Sequence, residues 1–233
     1  MPLLVDLQNH PIFTPKNLCM GISVVKFTFG PFQENSYVVH DGTSCVIIDP
    51  GCSNRQEEQE LISLISDTNL TPKAILLTHG HIDHIFGCDF VQRHYSIDCY
   101  MNETDIPTFE MAERSAQMYA IPGFTQPPIP NVLLQGDETL TFGEMTFEVI
   151  FTPGHCVGHV VFYDRENSFV INGDVVMKGS FGRFDLPGGD LNTLKNSILN
   201  TMFSLPEDTL VYSGHGPETT IGDEKHSNPI RQY

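Results

Sequence analysis

Basic side chains are scarce in this sequence. Lysine and arginine number 12 against 29 aspartates and glutamates, a formal charge of −17 over 233 residues. A nucleic-acid binder needs a cationic footprint to neutralise phosphates. No local Lys/Arg run supplies one, so nucleic acid is not an expected partner. The acidity itself reads first as solubility. Long apolar runs are also missing. None approaches the roughly 18 residues of a membrane span, so no membrane partner is expected. The opening Met1-Pro2-Leu3-Leu4-Val5-Asp6 has no basic residue ahead of its short apolar run, unlike a signal peptide. It is poor in Arg and Ser, unlike a transit peptide, and the expected location is cytoplasmic. The six cysteines, at 19, 45, 52, 88, 99 and 156, never form Cys-x-x-Cys. That removes a thiolate zinc finger and a thioredoxin-like motif, and a cytosolic chain of this length needs no disulfide framework. No Gly-x-Gly-x-x-Gly follows a strand, so no dinucleotide is indicated.

What is present is patterned from Met20 onward. Residues 1–19 read as an extension with little periodicity, and residues 20–233 as one domain. Val24–Phe29 and Ser36–His40 read as a hairpin around Gly30-Pro31-Phe32. Cys45–Asp49 and Ala74–Thr78 are short apolar runs that suit buried strands. Between them Leu61, Ile62, Leu64 and Ile65 form a helical stripe, with Asn54 and Glu57 spaced as a capping box. Strand, helix, strand in that order implies a parallel crossover. Helices are expected over His84–Tyr95, Ile106–Ala120 and Asn192–Leu205. Further strands are expected at Val132–Leu134, Thr139–Phe142, Thr146–Phe151, His159–Tyr163, Ser168–Ile171 and Thr209–Tyr212. Strands at both ends with helices between them suggest an α/β (α+β) fold of two packed sheets with helices outside.

The chemistry concentrates in Thr78-His79-Gly80-His81-Ile82-Asp83-His84. Four potential ligands fall within six residues, directly after an apolar strand. Neutral imidazole and carboxylate are usual ligands for zinc and similar divalent ions. His79, His81 and Asp83 alternate and can face one way in an extended turn, whereas His84 starts a new direction. One stretch can therefore serve two ions. Three later strand ends each place a glycine beside a candidate ligand: Pro153-Gly154-His155, Asn172-Gly173-Asp174 and Ser213-Gly214-His215. Glycine permits a sharp turn and close backbone approach. Ligands at several strand ends converge on one edge of a sheet, where α/β proteins bind. Elsewhere, His159 reads equally as support for a ligand or as core. Asp49 reads either as support for a ligand or as a turn cap. His10, His40, His94 and His226 have no motif around them and read as surface residues. Cys156 stands apart from the other cysteines because it directly follows His155.

This pattern resembles the metallo-β-lactamase superfamily, whose hallmark is His-x-His-x-Asp-His with three later ligands. The resemblance covers Met20 to Tyr233. It implies a four-layered αββα sandwich with the metals at its edge. It also implies that His79, His81 and His155 hold one ion, that Asp83, His84 and His215 hold a second, and that Asp174 bridges them. The implied cofactor is two divalent metal ions, zinc first, with iron or manganese also suited to these ligands. Within the superfamily, Thr152-Pro153-Gly154-His155-Cys156-Val157-Gly158-His159 is similar to the Thr-Pro-Gly-His-Thr-x-Gly-His of glyoxalase II-like hydrolases, with Cys156 in place of the usual Thr. Gly182-Arg183-Phe184-Asp185-Leu186-Pro187-Gly188-Gly189-Asp190 resembles a signature loop of their short bacterial forms, with Phe184 in place of a more usual Thr. The C-terminal helical domain of the longer enzymes, which helps hold glutathione, has no counterpart after His215.

The resemblance implies a binuclear thioesterase acting on an S-2-hydroxyacylglutathione-like, anionic small-molecule thioester. Asp83 is the expected catalytic residue, a ligand that also orients the nucleophile. Arg183 is the expected substrate-binding residue, gripping a carboxylate; an ion pair with Asp185 or Asp190 is the competing reading. The alternative activity is a persulfide dioxygenase on the same fold, with one iron held by His79, His155 and Asp174. A lactonase or β-lactamase, a nuclease of the same superfamily and a non-catalytic binding module fit less well. A structural zinc closes itself with four ligands, whereas seven ligands around two ions leave room for water.

Overall fold

The protein is described by a computed structural model over residues 21–233. The expected extension over residues 1–19 lies outside those residues. The first sheet begins with β1 (Ser23–Phe29) and β2 (Glu34–His40), an antiparallel hairpin, and continues antiparallel into β3 (Ser44–Ile48). Helix α1 (Arg55–Asp67) crosses over to β4 (Thr71–Leu76), which runs parallel to β3. Helices α2 (Ile82–Ile85) and α3 (Cys88–Tyr95) lead to β5 (Asp98–Asn102). Helices α4 (Ile106–Glu110) and α5 (Ala112–Met118) lead to β6 (Val132–Leu134), and β4, β5 and β6 are all parallel.

The second sheet opens with an antiparallel run: β7 (Thr139–Phe142), β8 (Met145–Phe151), β9 (Val160–Asp164) and β10 (Phe169–Gly173). A small hairpin of β11 (Val176–Met177) and β12 (Ser180–Phe181) follows. Helix α6 (Leu191–Asn196) then returns the chain to β13 (Leu210–Ser213), parallel to β10. Strand β14 (Thr219–Thr220) closes the edge, and α7 (Ile221–Ser227) packs outside. The strand orders are β1-β2-β3-β4-β5-β6 and β14-β13-β10-β9-β8-β7.

The period-two alternation of strand side chains explains the layering. In β3, Cys45 and Ile47 face the helices, while Val46 and Ile48 face the other sheet. In β4, Ile75 faces the helices with Leu77 just beyond the strand, and Ala74 and Leu76 face inward. The second sheet mirrors this: Val160 and Phe162 of β9 point to the shared core, and Val161 and Tyr163 to the outer helices. Three cores thus separate four layers: α1, α2, α3, α4 and α5 on one sheet, sheet against sheet, and α6 and α7 on the other. This is the αββα sandwich that the resemblance implied.

Three expected helices are subdivided. The one expected from His84 starts at Ile82 and breaks at Gly87, whose N–H donates to the Pro50 carbonyl (2.7 Å) instead of continuing the ladder of α2. The Ile106–Ala120 helix is α4 and α5 around Met111, with Pro107 tolerated in its first turn. The Asn192–Leu205 helix passes from α6 through a π-helical turn (Ser197–Thr201) into a 3-10 turn (Met202–Ser204). Asn54 caps α1 as expected, accepting from Gln56 and Glu57 N–H, but the Glu57 carboxylate takes the N–H of Ser53 (2.7 Å) rather than that of the cap itself. Strand β5 was not expected. Its ends, Asp98 and Asn102, are polar, and it is held by parallel neighbours on both sides, a tertiary cause with no local signal.

Phe162 is fully buried between the sheets and meets Phe147 edge-on at 6.5 Å between ring centroids. Phe162→Ala is expected to cost about 3–5 kcal/mol of unfolding free energy. A denaturant titration showing less than 1 kcal/mol would mean that the inter-sheet core is not packed as described.

Candidate metal centre

All seven candidate ligands lie at one end of the sandwich, on loops that leave strand C-termini. His79 follows β4, and His81 stands at the N-terminus of α2, which carries Asp83 and His84. His155 lies between β8 and β9, Asp174 directly after β10, and His215 after β13. Gly173 adopts φ +51°, and a Cβ there would sit 2.5 Å from Thr78 Oγ1. A Cβ on Gly214 would fall onto Asp174 Oδ1. Glycine is therefore required at both positions for the loops to converge.

The side chains gather in two sets. One ligand atom each from His79, His81 and His155 lies within 4.8 Å of the others, and the same holds for Asp83, His84 and His215. Asp174 lies between the sets. Its Oδ2 is 3.6 Å from His155 Nε2 and 3.6 Å from His215 Nε2, and its Oδ1 is 3.7 Å from His84 Nε2. Four tetrahedral ligands around zinc sit about 3.3 Å apart, so modest closure brings each set into ligating range. A third grouping, Asp49 with His79 and His84, meets the same distance criterion. Both Asp49 oxygens are already engaged, however, so it is a hydrogen-bonded support rather than a further cation site.

Four of the five candidate-ligand imidazoles are aimed by a hydrogen bond at one nitrogen, His81 being the exception. His79 Nδ1 bonds Thr78 Oγ1 (3.0 Å), and Thr78 Oγ1 donates to Asp49 Oδ2 (2.6 Å). His84 Nδ1 donates to the same Asp49 oxygen (3.0 Å), and Thr78 N–H donates to Asp49 Oδ1 (2.7 Å). His155 Nδ1 donates to the Arg183 carbonyl (2.7 Å), and His215 Nδ1 to the Gln33 carbonyl (3.3 Å). These partners fix the tautomers and turn Nε2 of His79, His84, His155 and His215 toward the centre. His81 presents its Nδ1, 2.8 Å from His155 Nε2. His79 Nε2, His84 Nε2 and Asp174 Oδ1 are buried without any hydrogen-bond partner. Buried orphan acceptors are rare, and three at this one end of the sandwich fit bound cations. Asp49 is thus a support for ligands. His159 is also one, since its Nε2 accepts the Asp174 N–H (3.1 Å).

Electrostatics favour the neutral, ligating form of His79 and His81, whereas without a cation the neighbouring carboxylates draw His84 and His215 toward protonation. Burial pushes His79 and His159 well below the usual imidazole range and His81 down to about 3, so all three stay neutral near pH 7. Burial opposes charge on His84 and His215 too, but surrounding carboxylates outweigh it and raise both. Asp83 is likewise penalised by burial, yet His84 and His215 hold it below the ordinary carboxylate range.

Several residues were not singled out beforehand. Glu34 is fully buried 3.8 Å from His84 Nδ1, and burial pushes its carboxyl well up. Asp105 is buried beneath the ligand loops. Arg114 lines the same cleft as Arg183. None carries a local sequence signal. Glu34 follows a turn, Asp105 sits in a polar stretch, and Arg114 falls on an amphipathic helix like any surface cation. The Arg183 guanidinium makes the competing ion pair, to Asp185 at 2.9 and 3.0 Å, while still facing the cleft. The Cys156 thiol hydrogen-bonds Asp105, a contact that the hydroxyl of a threonine could also make. The cleft encloses about 620 Å³ beside His81, Asp83, His155, Asp174 and His215. Phe32, Met118 and Tyr119 form one apolar wall, and Phe181, Leu186 and Pro187 face them.

The depressed histidines imply a pH dependence of stability. Unfolded histidines titrate near 6.5. Below that, the unfolded chain gains protons at His79, His81 and His159 that the folded metal-free protein does not, so stability falls as pH falls. The raised His84 and His215 act in the opposite sense and only above about 6.5, and the raised Glu34 carboxyl opposes the three histidines within the window as a single group. Metal-stripped protein is expected to lose thermal stability steadily from pH 6.5 to 5. A flat or rising melting temperature over that window would contradict neutral, buried imidazoles. Among the described residues, no helix is long and apolar enough to cross a membrane.

Comparison with known proteins agrees with this geometry. Residues 29–215 match the family model for the metallo-β-lactamase superfamily. The chain is 36% identical over 213 residues to hydroxyacylglutathione hydrolase GloC of Haemophilus influenzae, covering 91% of this chain and 98% of that one. It superimposes on TTHA1623 in a di-iron-bound form with TM-score 0.80 and 40% identity, covering 89% and 100% of the two chains. It also superimposes on the BLEG-1 B3 metallo-β-lactamase with TM-score 0.79 and 38% identity, covering 89% and 99%. The chain belongs to the metallo-β-lactamase superfamily.

Proposed function

We propose that this protein is a binuclear metal-dependent thioesterase that hydrolyses S-2-hydroxyacylglutathione or a closely related anionic thioester. The observation that carries the reading is the placement of Asp174 between two sets of three candidate ligands. His79, His81 and His155 would hold one divalent cation, and Asp83, His84 and His215 the second. Asp174 serves both. Zinc suits this all-nitrogen-and-oxygen set, and the di-iron form of a relative makes iron the first competitor. The similarity to a hydroxyacylglutathione hydrolase supports the substrate class.

Bound there, two cations supply an acidified water as nucleophile at neutral pH and polarise a carbonyl. The protein's own groups do the rest. Asp83, with Oδ2 3.2 Å from His215 Nε2, stays ionised and orients the nucleophile toward the cleft. The apolar walls take up the acyl and thiol stems and exclude water. A thiolate leaves without a strong acid, and no cysteine, serine or lysine is needed as nucleophile.

Two guanidiniums reach the cleft in a chain with only 12 basic residues. Arg114 comes from α5 on one outer layer, and Arg183 from the loop after β12 on the other. Each contacts an anionic end of the substrate. Arg183 must exchange Asp185 for it, so its net contribution is the smaller. Arg114→Ala is expected to raise KM about fivefold and Arg183→Ala about twofold, both with kcat nearly kept, as for exposed charge pairs of up to about 1 kcal/mol. Unchanged KM in both variants would remove the arginines from substrate recognition.

The reaction is tested with S-D-lactoylglutathione, using the His81→Ala variant as the blank. Turnover that vanishes in the variant is the expected result. A fully metallated sample that leaves the thioester intact would overturn the substrate. Oxygen consumption with glutathione persulfide would then identify the dioxygenase reading, and β-lactam cleavage the lactamase one.

A further inference from the structure

Asp105 is a charged side chain with no exposure and no place in the proposed chemistry. It stands just beyond β5 and immediately before α4. Its Oδ2 accepts the Gly80 N–H at 2.6 Å, and its Oδ1 accepts the Gly158 N–H at 3.0 Å and the Thr108 hydroxyl at 2.8 Å. The Cys156 thiol also bonds to it. These partners are not scattered. Gly80 lies between His79 and His81. Cys156 and Gly158 lie in the loop that runs from His155 to His159. The first loop leaves the first sheet and the second joins two strands of the other sheet.

We infer that Asp105 is a positioning residue for the His79, His81 and His155 set, its one carboxylate tying together the two loops that carry these three imidazoles. The inference rests on the metal reading proposed above. Three features of the geometry support it. The bonds to Gly80 and Gly158 are to backbone N–H groups, so they fix the path of the loops rather than side-chain rotamers. The loops are pressed onto Asp105: a Cβ on Gly158 would fall on its backbone, and one on Gly80 would meet the Phe109 backbone at 2.6 Å, one turn along α4. The outcome is the 2.8 Å approach of His81 Nδ1 to His155 Nε2, two nitrogens from opposite loops. Asp83, His84 and His215 have no direct bond to Asp105. Their supports are Asp49, Gln33 and Asn35, the last of which donates to the carbonyls flanking His215, at Ser213 (2.9 Å) and Gly216 (2.8 Å). The bonds of the clamp therefore fall beside His79, His81 and His155, while Asp83, His84 and His215 lie farther along the chain from them.

An isosteric Asp105→Asn substitution isolates this role. One carboxylate oxygen becomes an NH2 group, which faces a backbone N–H and cannot accept from it. Chelator competition on the metal-loaded protein, followed by metal content, reads the two ions separately. The expected result is a 10- to 100-fold weaker hold on one ion, the range for partners that orient metal ligands, with the second held as in the unsubstituted protein. A cobalt-loaded sample should show a changed visible spectrum for the same ion. Thr108→Val, which removes a contact on Asp105's own helix but neither loop bond, should leave both affinities within twofold. Equal loosening of both ions in Asp105→Asn, or the same loss in Thr108→Val, would reduce Asp105 to general stability and overturn the inference. Should Asp105→Asn not fold, amide exchange in the metal-loaded, unsubstituted protein decides. Slow exchange at both Gly80 and Gly158 is required, and fast exchange at either overturns the clamp. A wild-type protein that retains no metal at all would instead defeat the metal reading itself.

Discussion

Everything at the functional end depends on imidazoles held at one nitrogen and bare at the other. Thr78, the Arg183 carbonyl and the Gln33 carbonyl each take an outward N–H, and Asp49 takes that of His84. What remains is a group of inward lone pairs in a site nearly closed to water. Leaving a buried acceptor without a partner costs about 1–3 kcal/mol. The three such atoms here cost roughly 3–9 kcal/mol together, comparable with the entire net stability of an ordinary domain. A fold that tolerates this must over-determine the surroundings, and it does. Asp49 alone accepts from one backbone amide, one hydroxyl and one imidazole. A cation offsets the cost by satisfying the orphaned atoms at once, so metal binding and stability are coupled.

The sandwich architecture serves that constraint. Each sheet is buried on both faces by its neighbour layers, which leaves strand ends as the place where polar groups can meet. Four strand termini, those of β4, β8, β10 and β13, deliver the ligands, and no ligand comes from a strand interior. The convergence needs the loops to approach closer than side chains allow, which is why Gly173 and Gly214 stand beside Asp174 and His215. Packing and chemistry are thus fixed by different residues. The Val, Ile and Phe alternation sets the layers, and the glycine-flanked turns set the site.

That division explains what could be read from the sequence. The layers and most strands were legible because they follow period-two burial, as in Val46 and Ile48 against Cys45 and Ile47. The motif from His79 to His84 was legible because ligands so dense in sequence must be close in space. Strand β5 was not, since its stability comes from parallel partners on both sides rather than from its own composition. The break at Gly87 was not, since it depends on the Pro50 carbonyl, far away along the chain. Asp105 and Glu34 were invisible for the same reason. A single buried carboxylate acquires meaning only from the backbone groups folded around it. Asp49 lay between these cases. Its place at a strand end suggested support for a ligand, but only the folded chain shows it serving Thr78 and His84 together.

The acidity of the chain has to be reconciled with the anionic substrate proposed for it. A formal charge of −17 repels a thioester bearing carboxylates, and exposed charges act over about 10 Å at moderate salt. The site reverses this locally. Two divalent cations in the proposed set would contribute four positive charges against two ligand carboxylates, Asp83 and Asp174, and Arg114 and Arg183 stand at the cleft above them. With the cations bound, the cleft would become a positive well in a negative surface, able to draw in the proposed anion. Without them the ligand carboxylates leave it negative. On the proposed function, loading with metal would govern both the nucleophile and the attraction of the substrate, so the same ligands would control binding and turnover.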